Sequence, residues 1–251
     1  MVPRRRLDAE IVRRGLAPSR REAVDLIDAG RVVVGGAPAD KAARLVSGAE
    51  PVVVLGAPPR FVSRGGEKLD AALDEFGVSV LDARVLDAGA STGGFTDCVL
   101  QRGAAHVVAL DVGHGQLHHR IRSDPRVRVI ERYNVRALDV DDIGGPVDLV
   151  VADLSFISLT VVLPALLGAC HPGADLVLLV KPQFEAGRAE VSRGKGVIID
   201  PDIHARVRVT IDDALRNLGA DVRGWTTSPI RGADGNKEFL VHARAPMATS
   251  A

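Results

Sequence analysis

The sequence predicts an α/β protein in two parts: a small α+β unit, then a larger and mostly parallel sheet that closes in an antiparallel hairpin. Three observations carry this. From residue 84 onward, short apolar runs alternate with helix-like segments, the pattern of parallel strands covered on both faces. The last two apolar runs, 222–228 and 239–243, follow one another with no helix between them and so form a hairpin. Finally, Gly56-Ala57-Pro58-Pro59 interrupts the chain, because successive prolines continue neither a helix nor a strand ladder. The expected domains are therefore 1–56 and 63–246, joined by a linker over 57–62 and followed by a polar tail over 247–251.

The first unit opens with a helix-like stretch in which Leu7, Ile11, Val12 and Leu16 share a face and Gly15 acts as breaker. Ser19 caps a second helix, with Glu22 three residues later as in a capping box, and Gly30 closes it. Val32, Val33 and Val34 form a short strand before the Gly35-Gly36 turn, and Val52, Val53 and Val54 form another. Arg13, Arg14, Arg20, Arg21 and Arg31 cluster around the two helices. Residues 1–60 hold eleven Lys or Arg against seven Asp or Glu, although the whole chain is formally neutral. Any affinity for nucleic acid must then come from a local face.

In the second part, 67–76 is an amphipathic helix with Leu69, Ala72, Leu73 and Phe76 toward a core. Strands are expected at 85–88, 107–112, 127–131, 149–152 and 176–180, with helices starting near Gly94, Gln116, Ile157 and Asp202. The stretch 184–200 is a long loop carrying Arg188, Arg193 and Lys195 among glycines, suited to an RNA clamp or to a plain surface loop.

Several function classes are excluded early. Cys98 and Cys170 lack metal or disulfide spacing and are expected reduced, buried and inert. His118, His119 and His204 have no partners at metal-ligand spacing, so no metal site is expected. The N-terminus is basic but lacks the apolar stretch of a secretion signal, which leaves a cytoplasmic location as the expectation. The most apolar region, 147–170, contains Asp148, Asp153 and Pro164 and is better suited to a strand and helix than to a membrane span.

The chemistry concentrates at strand ends. Asp87-Ala88-Gly89-Ala90-Ser91-Thr92-Gly93-Gly94-Phe95-Thr96 follows the first strand and opens a helix, where glycines let the backbone turn and approach a ligand. No G-x-G-x-x-G dinucleotide fingerprint is present. Asp111, at the end of the second strand, is placed to accept hydrogen bonds from ribose hydroxyls. Asn134 follows the third strand toward an adenine pocket, with Gln116 and Leu117 as further lining. A parallel sheet ending in an antiparallel hairpin is the Rossmann-like arrangement of the S-adenosylmethionine methyltransferases, which makes that molecule the expected cofactor. Lys68, Asp153, Lys181 and Glu238 lie where such a sheet brings them to one edge. Only five lysines occur in this arginine-biased chain, and unlike arginine a lysine can release its proton.

Two resemblances add to this reading. Arg6-Leu7-Asp8, Gly15-Leu16-Ala17, Ser19-Arg20, Ala23, Leu26-Ile27, Gly30-Arg31-Val32 and Val34 resemble an S4 RNA-binding domain, which implies that the arginine face grips RNA phosphates. Over residues 4–245 the chain resembles the TlyA family of S4-linked ribosomal RNA 2′-O-methyltransferases, often labelled hemolysin A, whose catalytic domain is FtsJ-like. The carrying motifs are Ser63-Arg64-Gly65-Gly66 with Lys68, the 87–96 loop, and Asp111-Val112-Gly113-His114-Gly115-Gln116-Leu117. Asn134-Val135-Arg136, Asp153-Leu154-Ser155-Phe156, Lys181-Pro182-Gln183-Phe184-Glu185 and Gly194-Lys195-Gly196 complete the set. Before Ser63, where some members of the family carry Arg-x-Trp-Val, this chain has Pro59-Arg60-Phe61-Val62.

The resemblance implies a Lys-Asp-Lys-Glu tetrad at Lys68, Asp153, Lys181 and Glu238, cofactor contacts that include Val112 and Val135, and RNA contacts that include Arg6 and Arg64. The substrate implied is a cytidine ribose in rRNA of the small subunit, the large subunit or both. Lys181 would take the hydroxyl proton, Asp153 would orient it, and Lys68 and Glu238 would hold the ribose. Nearby carboxylates oppose a neutral Lys181, whereas burial, the ammonium of Lys68 and the cofactor's sulfonium favour it. The rival readings are a membrane-active hemolysin and an inactive ribosome-assembly factor.

Overall fold

In the computed structural model the chain divides into two compact units, residues 1–62 and 63–251. The structure describes all residues except 1–3, 18, 57–58, 195, 233 and 248–251, and leaves aside the side chains of 188, 189 and 193.

In the first unit, β1 (Arg4–Arg6) leads into α1 (Leu7–Arg13), followed by α2 (Arg20–Asp28), β2 (Val32–Val34), β3 (Ala37–Pro38), β4 (Leu45–Ser47) and β5 (Val52–Val54). Helix α1 stops at Arg13, short of Leu16, because Gly15 takes a left-handed φ of +69° and turns the chain. The Ser19 hydroxyl accepts from the Glu22 amide at 3.2 Å, so the expected cap forms. Strand β2 pairs antiparallel with both β3 and β5, and β1 pairs with β4. Strands β1, β3 and β4 were not expected: at two or three residues each they are too short to show alternation. Leu7, Ile11, Ala23, Ile27, Val32, Val34 and Val46 form the core.

The second unit begins with α3 (Gly65–Phe76), then β6 (Arg84–Ala88), α4 (Gly94–Gln101), β7 (His106–Leu110), α5 (His119–Arg122), β8 (Val127–Ile130) and a 3-10 turn at Val135–Ala137. It continues through β9 (Val147–Ala152), α6 (Leu159–Gly168), β10 (Cys170–Val180), α7 (Pro182–Glu185), α8 (Arg188–Arg193), α9 (Pro201–Asn217), β11 (Asp221–Thr227) and β12 (Phe239–Arg244). The seven strands are ordered β11-β12-β10-β9-β6-β7-β8, parallel except at β12, which runs antiparallel to both β10 and β11. This is the mostly parallel sheet with a terminal hairpin. Both faces of β9 and β10 are covered, as their near-continuous burial requires.

Three expectations shift. The helix expected near Gln116 starts at His119, because the Gly113 and Gly115 amides are bound by the carboxylates of Asp111 (2.6 Å) and Glu131 (2.9 Å) and the intervening backbone is held in turns. The 184–200 stretch holds the end of α7 and all of α8 rather than a plain loop. Cys98 is buried, but Cys170 at the start of β10 is only half-buried, although desolvation pushes its thiol up to about 12.

Candidate active site

The site lies at the carboxyl ends of the parallel strands. Ala88 and Ala152 are register partners at the ends of β6 and β9, so the glycine loop and Asp153 leave the sheet side by side. The Asp153 amide donates to the Ala88 carbonyl at 3.1 Å. Gly89 has a φ of +87°, and a Cβ there would stand 2.6 Å from the Asp153 carbonyl oxygen, so only glycine fits.

Asp111 secures this loop from the neighbouring strand. One of its oxygens accepts from the Ser91 amide at 2.8 Å and the other from the Gly113 amide at 2.6 Å. A carboxylate has about four acceptor positions, so both oxygens keep capacity for ligand hydroxyls. A cavity of about 400 Å³ opens beside them, lined by Gly89, Ser91, Asp111, Val112, Gln116, Asn134, Val135 and Asp153, together with Tyr133 and the 154–157 stretch. That volume falls within the range of small-molecule pockets. Ala90 and Leu117 line a smaller adjoining hollow.

The rest of the expected cofactor loop, namely Asp87, Thr92, Gly93, Gly94, Phe95 and Thr96, lies outside the lining. Asp87 is fully buried, and its carboxyl accepts from the Thr96 hydroxyl at 2.6 Å, tying the end of β6 to the first turn of α4. Desolvation pushes it up to about 7. Gly93 (φ +95°) packs where a Cβ would meet Leu117 at 2.9 Å, and Gly94 lets α4 approach Ser63 and Gly66.

The four expected catalytic side chains form two ion pairs. Lys68 Nζ donates to Glu238 at 2.6 Å, both residues being buried, and Lys181 Nζ stands 2.5 Å from Asp153. Val180 and Phe239 are register partners, so Lys181 and Glu238 are the next residues out on adjacent strands and the two pairs share one edge. Each ammonium carries its own carboxylate, which leaves the set neutral. Lys181 also donates to the Ser155 hydroxyl at 2.8 Å and lies 5.8 Å from the centre of the Phe184 ring.

Sequence reasoning left some residues of this region unassigned. Phe156 is 91% exposed with a left-handed φ of +64° and tilts against Phe184 at 5.2 Å between centroids. An aromatic side chain held in water at a cavity rim is a burial opportunity left open for a ligand. Its signal in the sequence was Asp153-Leu154-Ser155-Phe156 directly after the β9 run. Glu185 accepts from the Ser158 hydroxyl (2.5 Å) and the Leu159 amide (2.8 Å), bracing the start of α6 against the segment after Lys181. Burial raises its carboxyl above the usual range.

In the first unit the expected RNA-binding arginines gather around two buried acids. Asp8 takes Arg6 (3.0 Å) and Arg20 (2.8 Å), and Glu10 takes Arg13 (2.6 Å) and Arg14 (2.7 Å). These guanidiniums hold both carboxyls down at about 2. Arg14 further donates to the carbonyls of Ser47, Gly48 and Glu50, and Arg31 to that of Leu55. Arg6, Arg13, Arg20 and Arg21 are exposed, as is Arg64 before α3 in the second unit. Lys195 lies outside the described residues, as does the side chain of Arg193.

Comparison with known proteins agrees with both units. The FtsJ-like methyltransferase family matches residues 61–245 and the S4 domain family residues 5–52. The 16S/23S rRNA (cytidine-2′-O)-methyltransferase TlyA of Mycobacterium tuberculosis is 52% identical over 97% of this chain and 91% of its own. Hemolysin A of Brachyspira hyodysenteriae is 40% identical over 94% of this chain and 98% of its own. A solved structure from Streptococcus thermophilus, assigned by name to the hemolysins, superposes with a TM-score of 0.79 at 41% identity, covering 98% of this chain and 90% of that one.

Proposed function

Because this chain belongs to the FtsJ-like methyltransferase family, in the S4-bearing TlyA group, we propose that it methylates the ribose 2′-hydroxyl of cytidine in ribosomal RNA. The substrate is RNA of the small subunit, the large subunit or both, and S-adenosylmethionine is the methyl donor. The carrying observation is the pair of ion pairs, Lys181 with Asp153 and Lys68 with Glu238, at one sheet edge where Asp153 also lines the Asp111 cavity. Ribosomal substrates place the reaction in the cytoplasm.

The pocket fits the donor. The Asp111 carboxylate would accept from the ribose hydroxyls of its adenosine, Gly89 would let the backbone come close, and Asn134 and Val135 would flank the base. When bound, the donor supplies an electrophilic methyl group on a cationic sulfur.

A ribose hydroxyl is a weak nucleophile at neutral pH, so its proton must leave as the oxygen attacks. Lys181 Nζ would be the group placed to take that hydroxyl proton as the methyl group is transferred. Asp153 and Ser155 fix the direction of the amine. Lys68 and Glu238 offer a donor and an acceptor to the hydroxyls of the target sugar. Phe156, exposed at the rim, offers a face on which an unstacked base of the target RNA would stack. The first unit holds RNA phosphates through Arg6, Arg13, Arg20 and Arg21.

Ribosomal subunits lacking 2′-O-methyl marks, incubated with labelled donor, test this. Wild type is expected to label cytidine ribose, and Lys181→Ala to lose more than about 100-fold in rate while still binding donor. Equal labelling by the variant would sink the assigned chemistry. Among the described residues no helix is long and apolar enough to cross a membrane.

A further inference from the structure

Most cations near the catalytic edge are already neutralised. Lys68 and Lys181 are paired as described, Arg206 meets Glu190 at 2.5 Å, and Arg244 meets Asp175 at 3.0 Å. Arg231 donates to the Gly235 carbonyl at 3.0 Å, and two further exposed cations differ. Arg208, on α9, and Lys237, just before β12, have no carboxylate within ion-pair distance among the described residues.

Both are held over aromatic rings instead. The Arg208 guanidinium lies 5.0 Å from the centre of the Trp225 ring and 5.9 Å from that of Phe239, and Lys237 Nζ lies 5.2 Å from the same Phe239 centre. A ring face attracts a cation without cancelling its charge, so each group is positioned yet keeps its capacity for an anion. The backbone beneath Lys237 is fixed too. Asn236 is buried, accepts from the Ile198 amide at 2.9 Å and donates to the Gly196 carbonyl at 2.9 Å. Glu238, the next residue, is the partner of Lys68, and Phe239 is the register partner of Val180, which precedes Lys181.

We propose that Arg208 and Lys237 form a contact surface for the RNA phosphate backbone on the hairpin side of the catalytic edge, separate from the arginines of the first unit. The proposal rests on the RNA-methylating reading above. Two unpaired charges sharing one ring beside the edge where a ribose is received suit the phosphates that flank that ribose. Held in place by the rings, they lose little side-chain freedom on contact.

The test is salt-dependent binding of the full-length protein to ribosomal subunits between 50 and 200 mM salt, which needs no turnover and therefore stands even if methyl transfer is absent. The double variant Arg208→Gln, Lys237→Gln is expected to flatten the slope of log K against log salt by about 1 to 2, as loss of two phosphate contacts requires. In turnover, its KM for subunits rises about tenfold while kcat stays within about twofold and donor affinity is unchanged. Lys237→Gln alone, at an exposed residue with no side-chain hydrogen bond to lose among the described residues, gives about half the change in slope and serves if the double variant folds poorly. Slopes and KM equal to wild type would overturn the contact surface. Wild-type subunits left unlabelled would instead overturn the proposed function, so the two failures are distinguishable.

Discussion

Lys68 and Lys181 are both ion-paired, yet burial separates their energetics. The Lys68 and Glu238 side chains are 10% and 3% exposed, so Lys68→Ala strands a carboxylate away from water at a cost of about 3–5 kcal/mol. Asp153 is 23% exposed at the cavity, so Lys181→Ala costs less. Thermal denaturation is expected to rank Lys68→Ala well below Lys181→Ala, although both are expected to lower methyl transfer strongly; equal midpoints would contradict the assigned burial. Phe156→Ala removes no packing from the core and is expected to lower transfer to RNA by about tenfold or more while donor affinity, measured by calorimetry, stays at the wild-type value. Asp87 has a pH signature of its own. Its folded-state carboxyl lies at about 7, above the unfolded value, so its contribution to stability is full below about pH 4 and is lost as pH rises through 7. Asp87→Asn stays neutral throughout and is expected to gain stability over wild type at pH 8 but not at pH 4, which chemical denaturation at the two pH values would measure.

The decisive element is the turn from β6 to α4. It meets three conditions at once: a left-handed Gly89 against the Asp153 carbonyl, a Ser91 amide on Asp111, and the Asp87 to Thr96 bond that fixes the helix start. Gly89→Ala violates the first, since a left-handed alanine costs about 1–2 kcal/mol before its Cβ meets the carbonyl. It is expected to weaken donor binding by about tenfold or more and to lower the unfolding midpoint; wild-type affinity would show that the loop does not form the cofactor site. The loop was legible because Gly89, Gly93 and Gly94 cluster between a strand run and a helix run. The start of the helix after β7 was not, because the amides of Gly113 and Gly115 are diverted to Asp111 and Glu131, and Glu131 lies on a later strand run. Nor was the 184–200 stretch, where helices of four and six residues are too short to show a helical period.

On the scale of the molecule, the two units differ in their response to acid. Asp8 and Glu10 sit at about 2 against guanidiniums, so the first unit gains stability above pH 4 that is lost as pH falls toward 2. In the second unit the lowered carboxyls of Asp124, Glu131 and Asp175 act in the same direction, and Asp87 pulls the other way over its own range. Acid titration is expected to remove part of the helical circular dichroism before the emission of Trp225 changes, because the chain's only tryptophan lies in the second unit. Coincident transitions would argue against separate units. The sequence by itself determined the parallel sheet with its terminal hairpin and the S4-like helix and strand pattern, and it singled out four polar residues that the structure brings to one sheet edge. All of these are recorded in local periodicity, in glycine and proline placement, and in ordered motifs. Only the tertiary structure decided that Lys68 pairs with Glu238 and Lys181 with Asp153, that Asp87 belongs to the interior rather than the cavity lining, and that Phe156 stands in water. Those outcomes depend on which strands become neighbours and which faces are covered, and separations of up to 170 residues along the chain leave no local trace of either.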